Sequence, residues 1–170
     1  MNRILLGAIA SAVVLITPAL ACETITSAKV KLSACVDATG WATQTPSGDQ
    51  EFLYYSSDET IGFAVINENG AWPVSQFREA ILSNAAAAAL DAKPENVSIV
   101  SERLENIGGK AWNVIEYQVQ IPDGSLLFQN FYYVQPGFGS SQFVYWSAPE
   151  GGTSAAFRAG QMLATVQFTE

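Results

Sequence analysis

Two side chains that could react stand out first, because there are so few. Cys22 and Cys35 are the only cysteines, and the chain has no histidine. Ser-His-Asp and Cys-His catalysis both need an imidazole to carry the proton, so neither is available. The commonest zinc ligand is missing as well, and two cysteines thirteen positions apart do not make a zinc site. Two outcomes remain for the thiols. In an oxidising compartment a lone pair of cysteines bridges, and a Cys22–Cys35 bridge would close a short loop and contribute on the order of 3 kcal/mol. Alternatively Cys22, which follows a small-residue cleavage signal, receives a lipid. One sulfur cannot do both.

Carboxylates are the other reactive groups. The close pairs are Asp58/Glu59, Asp49/Glu51 and Glu102/Glu105, all in turns or polar strand ends where solvation explains them. Glu116 falls between Ile115 and Tyr117 and alternates with Gln118 and Gln120, which puts it on a polar strand face. Gly108-Gly109-Lys110 is superficially like a phosphate loop, but a strand pattern follows it where such a loop needs a helix, so it reads as a turn. Asn67-Glu68-Asn69-Gly70 lacks the later ligands of a calcium loop. No residue here implies a cofactor, a metal or a catalytic role.

The aromatics are more suggestive. There are four Trp, six Tyr and nine Phe, clustered in Tyr54, Tyr55, Phe131, Tyr132, Tyr133, Phe143, Tyr145 and Trp146. Neighbours in a strand point to opposite faces, so Tyr54/Tyr55 and Tyr132/Tyr133 cannot both enter one core. If one face of the sheet is open, Tyr54, Tyr132 and Tyr145 are the candidate binding patch, suited to protein or glycan contact. If helices cover both faces, the rings are core.

Residues 1–21 read as an export signal: Arg3, an apolar stretch from Ile4 to Ile16, a break at Pro18, and Ala19-Leu20-Ala21 before the cleavage point. The apolar stretch is shorter than the roughly twenty residues a permanent span needs. The expectation is a periplasmic or secreted protein, or one tied to an envelope membrane only through a lipid on Cys22. The whole chain carries net charge −8, and removing 1–21 takes only Arg3, which leaves −9. Such acidity repels phosphate backbones and argues against a nucleic-acid partner. The remaining 149 residues suit a single globular domain over 22–170, which buries about 70% of the surface its unfolded chain exposes.

The elements that must position these groups follow from periodicity. Strands are expected near Lys29–Val36, Glu51–Ser56, Ile61–Ile66, Val97–Glu105, Lys110–Ile121, Leu126–Gln135 and Gln142–Ala148. In the first, Val30, Leu32, Ala34 and Val36 face the core, and Cys35 shares the other face with Lys29, Lys31 and Ser33, within reach of the chain terminus. A helix is expected over Pro73–Leu90, capped by Ser75, with the stripe Phe77, Ile81, Ala85, Ala88. A second is expected over Ala155–Val166, capped by Thr153 or Ser154, with Ala156, Ala159, Leu163 and Val166 inward. Helices and strands do not alternate, so the class is α+β: an antiparallel sheet covered by two helices.

This order of elements resembles the PsbP-like superfamily, which includes PsbP of photosystem II and the bacterial periplasmic protein DcrB. The resemblance is carried by Gly40-Trp41, the aromatic hairpin from Phe52 to Ile66, the helix opening at Val74-Ser75-Gln76-Phe77, Gly108-Gly109-Lys110-Ala111-Trp112 leading into Ile115-Glu116-Tyr117, Phe131-Tyr132-Tyr133-Val134, and the Val166-Gln167-Phe168 tail. It implies an α-β-α sandwich and a non-enzymatic role, as members are mostly binding, scaffold or envelope proteins; the expected function is a binding or assembly factor, with another envelope protein as partner. The acidic charge raises one alternative, an immunity-type inhibitor of a basic partner in the periplasm. The carboxylates raise another, a small hydrolase that needs facing acids in a concave pocket.

Overall fold

A computed structural model describes residues 22–169; the expected leader, 1–21, lies outside the described residues. In chain order the elements are β1 (Cys22–Thr26), β2 (Leu32–Asp37), β3 (Trp41–Gln44), β4 (Phe52–Ser56), β5 (Ile61–Glu68), α1 (Val74–Ala88), β6 (Val97–Ile107), β7 (Lys110–Ile121), β8 (Gly124–Gln135), β9 (Gly139–Ser147), α2 (Gly152–Leu163) and β10 (Gln167–Phe168). Every strand pairing among them is antiparallel. The expected single sheet is two: a three-stranded sheet ordered β1-β2-β10 and a seven-stranded sheet ordered β3-β4-β5-β9-β8-β7-β6. The strands absent from the sequence reading are β1, β3 and β10. Each is short and nearly all exposed, with Ile25 and Trp41 as the buried anchors of the first two, so none carries a full alternation of apolar residues.

The large sheet has an apolar cluster on each face, and the division follows residue parity. On β7, Trp112 and Val114 join one cluster while Ile115, Tyr117 and Val119 join the other. The first cluster holds Leu32, Ala34 and Val36 of the small sheet and Ala155, Ala159, Met162 and Leu163 of α2. The second holds Phe77, Ile81 and Ala85 of α1. The helices do not reach the whole sheet, because edge strand β6 keeps Ile99, Val100 and Leu104 exposed.

Both helix caps differ from expectation. The residue before α1 is Pro73, with no side-chain capping bond, and Ser75 lies inside the helix. Proline serves there because its φ is already near −65° and the first N–H groups have no helical partner anyway. Ala88 is exposed and Ala89, just beyond the helix, is buried instead. The second helix starts at Gly152 without a side-chain cap and buries Ala155 where Ala156 was expected. Gly108 and Gly109 make the tight turn between β6 and β7, both with positive φ, which is the backbone a two-residue hairpin loop needs.

Cys22 and Cys35 are joined by a disulfide, with their Cα atoms 5.5 Å apart. The bridge fastens β1 to β2, where Thr24 pairs with Cys35 and Cys22 with Asp37. As the alternation suggested, Cys35 is on the half-exposed side of β2, opposite in parity to buried Leu32, Ala34 and Val36.

Candidate functional site

The three tyrosines expected to form a patch do not form one. Tyr54, Tyr132 and Tyr145 are all buried, with Tyr145 fully so. Tyr54 and Tyr145 both stack on Phe63, at centroid distances of 5.6 and 4.6 Å. Tyr132 faces the other way and stacks on Phe77 of α1 at 5.6 Å. Apolar layers on both faces turn these rings into core. Burial drives the Tyr145 hydroxyl well above its ordinary range, and that hydroxyl donates to the Met162 sulfur at 3.5 Å.

Tyr55 and Trp146, one residue along from Tyr54 and Tyr145, lie on the opposite face and reach solvent in part. Tyr55, Gly62, Trp146, Phe128 and Tyr117 stand directly opposite one another from β4 across β5, β9 and β8 to β7. Tyr55 meets Trp146 edge-on at 5.9 Å, Trp146 stacks on Phe128 at 6.2 Å, and Phe128 stacks on Tyr117 at 5.2 Å. Tyr55, Trp146 and Phe128 are half-buried. Gly62 makes the row continuous, because the Trp146 indole occupies the space its side chain would fill. A glycine inside an otherwise bulky strand is the sequence signal by which this row could have been found.

The row ends in a groove beside α1. The groove has two adjoining compartments, of about 390 and 240 Å³, which share Glu68, Ile81, Asn84 and Gln142. Trp72, Gln76 and Phe77 line the larger. Tyr117, Phe128, Asn130, Val144 and, at the rim, Asp49 line the smaller. Alternation explains why these side chains converge: Ile66 and Glu68 on β5, Gln142 and Val144 on β9, and Phe128 and Asn130 on β8 share the face that α1 crosses. Buried Asn130 donates from Nδ2 to Gln142 Oε1 at 3.0 Å, and its Oδ1 has no protein partner. Burial pushes the Tyr117 hydroxyl up to about 12, with the Asn130 side chain opposing that rise.

The acids named from sequence serve the fold. Glu51 accepts from Ser27 Oγ at 2.7 Å, the Ala28 N–H at 2.6 Å and Asn67 Nδ2 at 2.7 Å, tying the β1–β2 turn to β5. Asp58 accepts from Ser56 and Thr60 hydroxyls, which hold it down at about 2. Glu102 pairs with Arg78, and Arg103 pairs with Glu105 and reaches Glu116 at 3.6 Å. Asp49 alone of the paired acids reaches the groove, where the acid it joins is Glu68 rather than Glu51. Among the described residues no group of three metal-ligating side chains converges, and no helix is long and apolar enough to cross a membrane.

A second concavity, of about 320 Å³, adjoins the disulfide. Phe157 is 67% exposed there. Arg158 lies 5.5 Å over the Trp41 ring and donates to the Gly40 carbonyl at 3.1 Å. Its polar groups are therefore already engaged in holding α2 to the β2–β3 turn.

No protein-family model matches the sequence, and no curated protein does either. Solved structures do match the fold. The solution structure of cyanobacterial PsbP (CyanoP) from Synechocystis superposes with a TM-score of 0.60 at 10% identity, over 93% of this chain and 98% of that one. A crystal structure from Bacteroides thetaiotaomicron superposes with a TM-score of 0.50 at 14% identity, over 82% of this chain and 46% of that one. The chain therefore has a PsbP-like fold. Identities this low carry the architecture and leave the site to its own geometry.

Proposed function

We propose that this chain is an exported, non-catalytic protein of the cell envelope that binds or helps assemble a partner. It works as one α+β domain over residues 22–170, an α-β-α sandwich freed of residues 1–21. The observation that carries this reading is the groove beside α1, where an exposed Trp72, a half-buried Glu68 and an aromatic row meet. Amides and rings of that kind recognise shape and charge. A thiol nucleophile is ruled out by the bridge, which occupies both cysteines.

The Cys22–Cys35 bridge supports an oxidising compartment. It also uses the sulfur that a lipid anchor would need, so the soluble periplasmic or secreted form is the one proposed. Intact-mass analysis of the protein recovered from the cell envelope tests this. The expected mass is that of a chain starting at Cys22 and lacking two hydrogens. A diacyl or triacyl increment would move the protein to a membrane surface, and a cytosolic chain retaining residues 1–21 would defeat the proposal. For the binding role, a photo-crosslinker at position 72 should capture a partner that the same crosslinker at exposed Glu79 does not.

A further inference from the structure

The composition of the groove is one-sided. Glu68 lines both compartments and Asp49 rims the smaller, while neither compartment is lined by a lysine or arginine. Among the described residues the ion pairs include neither acid. The cation nearest in sequence on α1, Arg78, is held by Glu102 at 2.5 Å and lines a different concavity. Glu68 is half-buried, and its one described side-chain contact is a 3.5 Å approach from the Ser140 hydroxyl. It therefore keeps acceptor capacity in a place where water is partly excluded, which strengthens its attraction for a positive charge.

Two further features point the same way. Trp72 lines the same compartment as Glu68 and is 58% exposed, and an indole face attracts cations more strongly than any other side-chain ring. Deeper in, Asn130 gives one amide hydrogen to Gln142, and its buried Oδ1 has no protein partner, an acceptor that asks for an N–H or O–H donor. Between these polar ends, Ile81, Ala85, Val144 and Phe128 give an apolar floor.

We propose that this groove binds a free amphipathic cation: a primary or secondary ammonium on an aryl or alkyl body. The ammonium sits between Glu68 and Trp72. The body lies over Ile81 toward Phe128, in the smaller compartment. Compartments of this size can take a small molecule. This deepens the binding role proposed above and rests on the groove being the site that performs it.

The test uses the protein purified after expression of the whole sequence and three probes that share an indole body: tryptamine, 3-ethylindole and indole-3-acetate. Binding is read by calorimetry and by amide chemical-shift mapping. Tryptamine should bind at least about tenfold more tightly than 3-ethylindole, and indole-3-acetate more weakly still. Shifts should centre on α1, β5 and β9. Glu68→Gln should erase the preference for tryptamine over 3-ethylindole. Trp72→Ala, at an exposed position, should weaken tryptamine several-fold with little change in the unfolding midpoint, and Glu79→Gln should leave binding unchanged. Equal binding of the neutral or anionic probe would overturn the charge assignment while leaving a binding groove. Shifts mapping elsewhere, or no binding of any probe, would overturn the site itself, whereas the mass result bears on export independently. Binding by a lysine-bearing apolar peptide but not by tryptamine would overturn the assignment to a free small molecule.

Discussion

Gly62 and Tyr117 show how much a single position decides in this sheet. A methyl group at Gly62 would fall within the Trp146 indole, which crosses β5 at that point. Gly62→Ala must therefore push Trp146 off its seat against Tyr55 and Phe128, at a cost of about 1–3 kcal/mol. Urea unfolding midpoints check this. The variant that also carries Trp146→Ala should lose much less than the sum of the two single changes, because the clash then has no second party. Tyr117 controls the alkaline limit. Its hydroxyl is raised to about 12 in the fold against 10.0 ordinarily, through burial, and burial also holds Tyr145 well above its ordinary range. The protonated form is the one the fold favours. The stabilisation is thus complete below pH 10 and falls as pH climbs from 10 toward about 12. Tyrosinate absorbance from these two rings should appear only together with loss of near-ultraviolet dichroism. Early ionisation of all six tyrosines with the fold intact would contradict their burial.

At the scale of elements, β1 is the piece held most weakly by packing. It pairs with β2 alone, and Ile25 is its one buried residue. The disulfide supplies what packing does not. Reduction, or Cys35→Ala, should lower stability by about 2–4 kcal/mol. It should also strip hydrogen-exchange protection from Glu23 to Thr26 while β7, β8 and β9 keep theirs. Persistent protection of β1 without the bridge would show that strand pairing alone suffices. The same weakness explains what the sequence disclosed. Strand β7 was legible because Ile115, Tyr117 and Val119 alternate with Glu116, Gln118 and Gln120, and the structure gives the two sets opposite faces. Strands β1, β3 and β10 were not legible, because two to five residues with a single anchor set no period. Helix α1 was legible from Pro73 onward, but the cap expected at Ser75 is Pro73, which makes no side-chain bond. The patch was misassigned for a related reason. In Phe52-Leu53-Tyr54-Tyr55 both faces look apolar, so alternation cannot say which tyrosine is wet; the apolar cluster lying above settles it for Tyr54 as core. The groove was beyond sequence reading altogether. Glu68, Asn84, Asn130 and Gln142 come from four separate elements and meet only when α1 crosses the sheet.

For the molecule as a whole, the decisive feature is that both apolar clusters are built on the same strands. Trp112, Val114 and Phe131 look toward α2 and the small sheet, while Ile115, Tyr117 and Tyr132 look toward α1. Their side chains alternate along β7 and β8, so neither face can lose its backbone order without taking the other with it. Unfolding should then be a single cooperative step. Two truncations test this from opposite sides. Phe77→Ala opens the α1 side, where the ring stacks on Tyr132, and Phe63→Ala opens the α2 side, where the ring contacts Tyr54, Phe143 and Tyr145. Each removes a buried ring and should cost about 3–5 kcal/mol. In each variant, far-ultraviolet dichroism and the fluorescence of buried Trp112 should report one shared midpoint. If Phe77→Ala instead released α1 at a lower midpoint while Trp112 stayed buried, the helix would be an independently folding cover. The groove would then be a gap that opens on its own, and a ligand seated there would stabilise α1 rather than the entire sheet.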